Sequence, residues 1–183
     1  MFSEAEKHDD MILQLPGNFE INTTFAGEIE EFAAAMATQL LPDHCREYET
    51  IVLGHGMWNV FKSSFAHVES HLRPALASLA EGCPGHIRNG RIFFLLMSSG
   101  TGQVGTRVRP RVYEWSRRVA AIVLEYNIKI VDTFHATDAR LLDAGFNQSD
   151  GTHWGRIQSG NSTGTVGMSQ ILSLIQQLCP GQR

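Results

Sequence analysis

Gly90-Arg-Ile-Phe-Phe-Leu-Leu-Met97-Ser-Ser-Gly100 is the stretch that decides the fold. Its apolar run is continuous rather than alternating, and glycine and serine bound it, as in a strand buried on both faces. Glu49-Thr-Ile-Val-Leu-Gly54 upstream and Asn127-Ile-Lys-Ile-Val-Asp132 downstream read the same way. Helical stretches separate the three. Val60 to about Ala80 is predicted as one helix, and Pro110 to Glu125 as another with proline in its first turn.

Further upstream, Phe19-Glu-Ile-Asn-Thr-Thr-Phe25 alternates like a half-buried strand. Glu28 to Leu41 has helical spacing, with Ile29, Phe32, Ala33, Met36 and Leu40 on one stripe, an acidic start and a stop at Pro42. Thr163 to Leu178 is the last predicted helix, closed by Pro180-Gly181. Residues 1–18 show no clear period and are expected to be loosely structured, with a turn signal at Pro16-Gly17-Asn18. Residues 19–183 form one domain. Alternating helices and apolar strands imply a three-layer α/β/α sandwich with a mainly parallel sheet. Chemistry in such folds gathers at the C-terminal ends of the strands. Here those ends are Gly54 to Asn59, Met97 to Gly100, and the loop after Asp132.

With 43% hydrophobic and 19% charged residues over 183 positions, the chain can bury a sizeable core. A net charge of −4 argues against a broad phosphate-binding surface, so nucleic acid is not an expected partner. The apolar runs are too short to span a bilayer. The start, Met1-Phe-Ser-Glu-Ala-Glu-Lys-His-Asp-Asp10, lacks the pattern of a secretory leader, and the compartment stays open. Cys45, Cys83 and Cys179 have no metal-ligand spacing. One disulfide with one free thiol, or three thiols, both fit an odd count.

Ser149-Asp150-Gly151-Thr152-His153-Trp154 is the most informative stretch for chemistry. An Asp three residues before a His can fold back onto its Nδ1–H, fix the tautomer and leave Nε2 as a base. Gly151 allows the turn this needs. By itself the spacing is more often that of a capping Asp and a surface His.

These residues resemble the last block of the SGNH (GDSL-like) hydrolases, and the Asp-Gly-x-His-Trp form is similar to one branch. That branch holds the PC-esterase-like, trichome-birefringence-like and sialate O-acetyltransferase proteins. Ile51-Val-Leu-Gly-His-Gly-Met-Trp-Asn59, Ile128-Lys-Ile-Val-Asp132 and Ile171-Leu-Ser-Leu-Ile-Gln-Gln-Leu-Cys179 are similar to its second block, its last strand and its closing helix. The resemblance runs from about Phe19 to Cys179. It implies serine attack on an acetyl ester of a carbohydrate, with His153 as base and Asp150 orienting it. It implies neither a metal nor an organic cofactor.

Gly56 and Asn59 are the oxyanion-donor candidates, although Gly54 and His55 stand where the family usually has an early asparagine or serine. The nucleophile block, Gly-Asp-Ser, does not occur in the chain. Ser3 follows no apolar strand. Ser98 and Ser99 end a buried strand but do not match the family position, so they are weak nucleophile candidates and read equally as turn serines. The chain as given is therefore expected to lack enzyme-like esterase activity. It reads as the C-terminal part of an O-acyl esterase or O-acetyltransferase domain, short of its first strand. The alternatives are an inactive SGNH-like glycan-binding or scaffold protein, and an enzyme with an unusual nucleophile. A missing first strand would leave an open sheet edge beside Thr50 to Gly54 and promote self-association.

Other patterns carry less. His67-Val-Glu-Ser-His71 has its Glu at the wrong place for a His-Glu-x-x-His zinc helix and reads as a solvated face. Gly100-Thr-Gly-Gln-Val-Gly105 matches a dinucleotide fingerprint in letters, but Thr106 to Pro110 delays the next helix. Arg107, Arg109, Arg111, Arg117 and Arg118 read as a solvated basic face.

Overall fold

The computed structural model describes residues 11–15, 19–24, 26–40, 44–54, 58–99 and 102–139. Its centre is a parallel sheet of β3 (Ile51–Gly54), β4 (Ile92–Leu95) and β5 (Lys129–Val131), in that spatial order. All three are the apolar runs read from the sequence, trimmed at their ends. The register aligns Ile51 with Ile92, Leu53 with Phe94 and Ile130, and Val52 with Phe93 and Lys129. Side chains alternate across a sheet, so Ile51, Leu53, Ile92, Phe94 and Ile130 share one face.

That face is covered by α1 (Ile29–Gln39), α3 (Phe65–Gly82) and α5 (Gly102–Glu125). The sheet order follows chain order, so both crossovers step the same way. Right-handed crossovers then set α3 and α5 on the same face. Ile29, Phe32 and Met36 of α1, Val68, Leu72, Leu76 and Leu79 of α3, and Val112, Trp115, Val119 and Ile122 of α5 meet the strands in one core. Phe32 meets Phe94 edge-on, with centroids 6.4 Å apart, and Phe65 meets Trp115 at 5.4 Å. On the opposite face Phe93 and Val131 are buried as well. This is the α/β fold with a parallel sheet that the sequence implies. Gly90 adopts φ +60° before β4. A Cβ there would lie 2.6 Å from the Lys129 stem, whose ammonium sits over the Phe93 ring.

Several boundaries differ from the sequence reading. Met11–Leu15 is not loose: it forms β1, paired antiparallel with β2 (Phe19–Thr23), with Leu15 opposite Phe19. An apolar five-residue run gains ladder bonds once a partner strand follows directly after a turn signal. The helix predicted from Val60 to Ala80 is two helices, α2 (Trp58–Lys62) and α3. Ser64 breaks it by taking an extended conformation and accepting the His67 backbone N–H, 3.2 Å away, as an N-cap. α5 begins at Gly102 and runs through Pro110, so residues 102–105 of the glycine pattern lie inside a helix. Downstream, α5 buries Val112, Trp115, Val119, Ile122 and Val123, a gain that outweighs the roughly 3 kcal/mol cost of an interior proline. Two short helices escaped the sequence reading, α4 (Pro84–Arg88) and α6 (Thr133–Asp138). The strand-to-loop passage expected after Asp132 is thus a strand-to-helix passage.

Cys45 and Cys83 form a disulfide, with Cα atoms 5.8 Å apart. It ties the 3-10 turn His44–Glu47 to the end of α3. Among the described residues β3 has a strand neighbour on one side only, and Val52 is 43% exposed. No helix among the described residues is long and apolar enough to cross a membrane.

Candidate functional site

Parallel strands bring their C-terminal ends to one edge, so the segments after β3, β4 and β5 share that edge. After β3 the chain enters α2, where Asn59 is 2% exposed. The Ser63 hydroxyl donates to Asn59 Oδ1 at 3.4 Å, and the Ser63 N–H donates to the Asn59 carbonyl at 2.9 Å. Asn59 is thus a buried amide within α2, following the C-terminal end of β3, and its Oδ1 accepts the Ser63 hydroxyl. Gly56 lies outside the described residues.

After β4, Leu96-Met-Ser-Ser99 continues in extended form and is held by α6. The Leu96 carbonyl accepts the Thr133 hydroxyl, and the Leu96 N–H donates to the Val131 carbonyl at 3.1 Å. Ser99 is fully buried. Its N–H donates to Thr137 Oγ1 at 2.7 Å and its hydroxyl to Asp138 Oδ1 at 2.8 Å. Asp138 also takes a forked pair from Arg109, with Nε 2.6 Å from Oδ1 and Nη2 2.5 Å from Oδ2. Arg109, and then the Ser99 hydroxyl, hold the Asp138 carboxyl below its usual range against the opposing effect of burial. Ser99 is thus committed to a carboxylate with no proton affinity to spare, which suits a buried structural hydroxyl better than an attacking one. Ser98 is half-buried at the same edge.

After β5 comes a pair that the sequence reading missed. Asp132 caps α6: its Oδ1 accepts the His135 N–H at 3.0 Å, and its Oδ2 lies 2.5 Å from His135 Nδ1. A carboxylate can only accept, so Nδ1 carries the proton and Nε2 is the acceptor. The imidazole stands edge-on to Tyr113 and Phe134, with centroids 6.0 Å and 5.5 Å away. This is an oriented base made by an Asp-x-x-His spacing, the same signal that singled out Asp150 and His153. In the sequence Asp132 reads as the end of a strand, which conceals this spacing. Its side chains are 45% and 66% exposed, so solvent screens the pair.

Asp150 and His153 lie outside the described residues, as does the helix predicted over Thr163 to Leu178. The basic stretch is largely committed. Arg109 pairs with Asp138, and Arg111 donates to the Ser63 carbonyl at 2.6 Å. Arg117 pairs with Glu114 at 3.0 Å, and Arg118 lies over the Phe65 ring at 3.7 Å.

No family model matches the sequence, and no curated protein matches it significantly. Among solved structures, the lipase/acylhydrolase from Enterococcus faecalis superposes with a TM-score of 0.61 at 15% identity, over 88% of this chain and 75% of that one. A likeness at that identity speaks for fold. It supports an α/β fold with a parallel sheet, as the sequence implies. The chain has an α/β fold with a parallel sheet, and that structure shares its fold.

Proposed function

We propose that the chain is part of an SGNH-type O-acyl esterase or O-acetyltransferase domain acting on acetylated carbohydrate, with His153 as general base and Asp150 as its orienting acid. The observation that carries this reading is the β3-β4-β5 order. It gathers Asn59, Ser98, Ser99 and the segment after β5 at one sheet edge, in a fold shared with a lipase/acylhydrolase. Asp150 and His153 follow that segment in the sequence. In acyl transfer the base takes the proton of the attacking hydroxyl and returns it to the leaving group, while amide donors hold the oxyanion. Gly56 and Asn59 are the proposed donors. The same proposal includes association of copies along the outer edge of β3, where Val52 is exposed.

The chain carries no Gly-Asp-Ser, and Ser99 is bonded to Asp138. These two facts favour a second reading, an inactive SGNH-like protein that binds glycan or serves as a scaffold. One experiment separates the two. Hydrolysis of p-nitrophenyl acetate and an acetylated sugar is measured for the chain and for His153→Ala, His135→Ala and Ser98→Ala, alongside direct binding of the sugar. Near-background rates are expected under both readings, and measurable sugar binding then supports the second. Robust turnover lost in His153→Ala supports His153 as the base but overturns the expected inactivity of the chain as given, since a nucleophile must then lie within it. Turnover lost in His135→Ala but kept in His153→Ala overturns the assignment of the base.

A further inference from the structure

His67 and His71 stand one helical turn apart on α3, and Glu30 of α1 reaches them from the neighbouring helix. One ligand atom from each of the three lies within 4.8 Å of the other two. His67 Nε2 is 2.6 Å from Glu30 Oε1, and the imidazole centroids are 4.7 Å apart. Within the sequence the only nearby acid is Glu69, which turns away to pair with Arg73 at 2.8 Å and Arg118 at 3.9 Å. The fold supplies Glu30 in its place. From these positions we propose that Glu30, His67 and His71 form a binding site for a divalent transition cation of the Zn²⁺ class.

The donor set fits that ion. Two imidazoles and a carboxylate suit zinc and its neighbours rather than magnesium or calcium, which take oxygen ligands. His71 Nδ1 lies 3.0 Å from the His67 carbonyl, which can only accept. The proton therefore sits on Nδ1 and the Nε2 lone pair is the ligand, the outer-shell arrangement usual for metal-bound histidine. Glu30 is in the first turn of α1, where backbone N–H groups, and then His67, lower its pKa and keep it ionised. Its hydrogen bond to His67 Nε2 keeps the two donors adjacent, and a metal taking the place of the proton between them would open their 2.6 Å separation to about 3.3 Å. The two histidines are half-buried and Glu30 is exposed, so an ion can enter and keep water in its remaining position. Because α1 and α3 pack on the same sheet face, the ion would clamp two core helices together.

The test uses the full chain, stripped with chelator and titrated with Zn²⁺ and with Co²⁺. One ion per chain is expected, with a rise in melting temperature. Loss of an outer-shell partner alone weakens metal sites about tenfold to hundredfold, so His67→Ala and His71→Ala should each weaken binding by at least about tenfold and remove the thermal shift. Glu30→Gln should weaken it less than either, and His135→Ala should leave it unchanged. Where a variant fails to fold, X-ray absorption of the zinc-loaded wild type decides, with two imidazoles and no sulfur expected. Saturation requiring millimolar Zn²⁺, binding that survives both histidine changes, or sulfur in the coordination shell overturns the site.

Discussion

Replacing Ser99 separates a structural hydroxyl from a nucleophile. The side chain is fully buried and its hydroxyl gives one bond, 2.8 Å long, to a carboxylate. A hydrogen bond to a charged group contributes about 1.5–3 kcal/mol. Asp138 keeps its two bonds from Arg109 after the change, so Ser99→Ala should fall at the lower end, about 1–2 kcal/mol. Asp138→Ala should cost more, about 2–3 kcal/mol, because it strands the buried Ser99 hydroxyl; Arg109, 46% exposed, rehydrates and adds little. The double change should cost about 1 kcal/mol less than the sum, since both singles break the same bond. Urea unfolding measures all three, provided the slope with denaturant stays constant. The coupling also has a pH signature. Asp138 has a lowered folded pKa, so its contribution is complete above the unfolded value of about 3.9 and disappears as pH falls through the lower folded value. The coupling should therefore be equal at pH 7 and pH 5 and shrink only below about pH 3.9. Additive costs, or a Ser99→Ala variant as stable as the wild type, would refute the reasoning. A stable Ser99→Ala chain that had lost esterase activity would name Ser99 as the nucleophile.

Phe94→Ala should destabilise by about 3–5 kcal/mol in the same assay, because Phe94 is fully buried between α1 and the sheet and loses its edge contact with Phe32. Reducing the Cys45–Cys83 disulfide, whose cysteines are 38 apart in sequence, should cost about 2–4 kcal/mol through loop entropy, seen as a lower urea midpoint in reductant that Cys179→Ser leaves intact. Val52→Lys should lower the sedimentation-average mass of the chain if copies pair along β3. An unchanged mass distribution would remove that edge as the route of association.

The sequence alone determined the parts of this protein that depend on local pattern. The runs at Ile51, Ile92 and Lys129 are legible as strands because they are short, apolar-rich and bounded by turn residues; β4 alone of the three is buried on both faces, while Val52 of β3 and Lys129 of β5 are exposed. α1 was legible from its stripe and its acidic start, where Glu28 and Glu31 form a capping box. Parallel order and the edge carrying Asn59 and Ser99 follow from that alternation. Only the tertiary structure decided matters that rest on meetings between distant segments. At Pro110 the chain overrides the local signal, since core burial carries α5 through proline, whereas at Ser64 it obeys a capping signal that the helical apolar spacing conceals. Cys45 found Cys83, and Ser99 found Asp138, across separations that no periodicity encodes. Asp132 and His135 stand three apart in sequence, but only the turn of β5 into α6 makes their spacing a bonded pair. Glu30 lies 37 residues from His67, and the packing of α1 on α3 is what turns a solvated histidine face into three converging ligands.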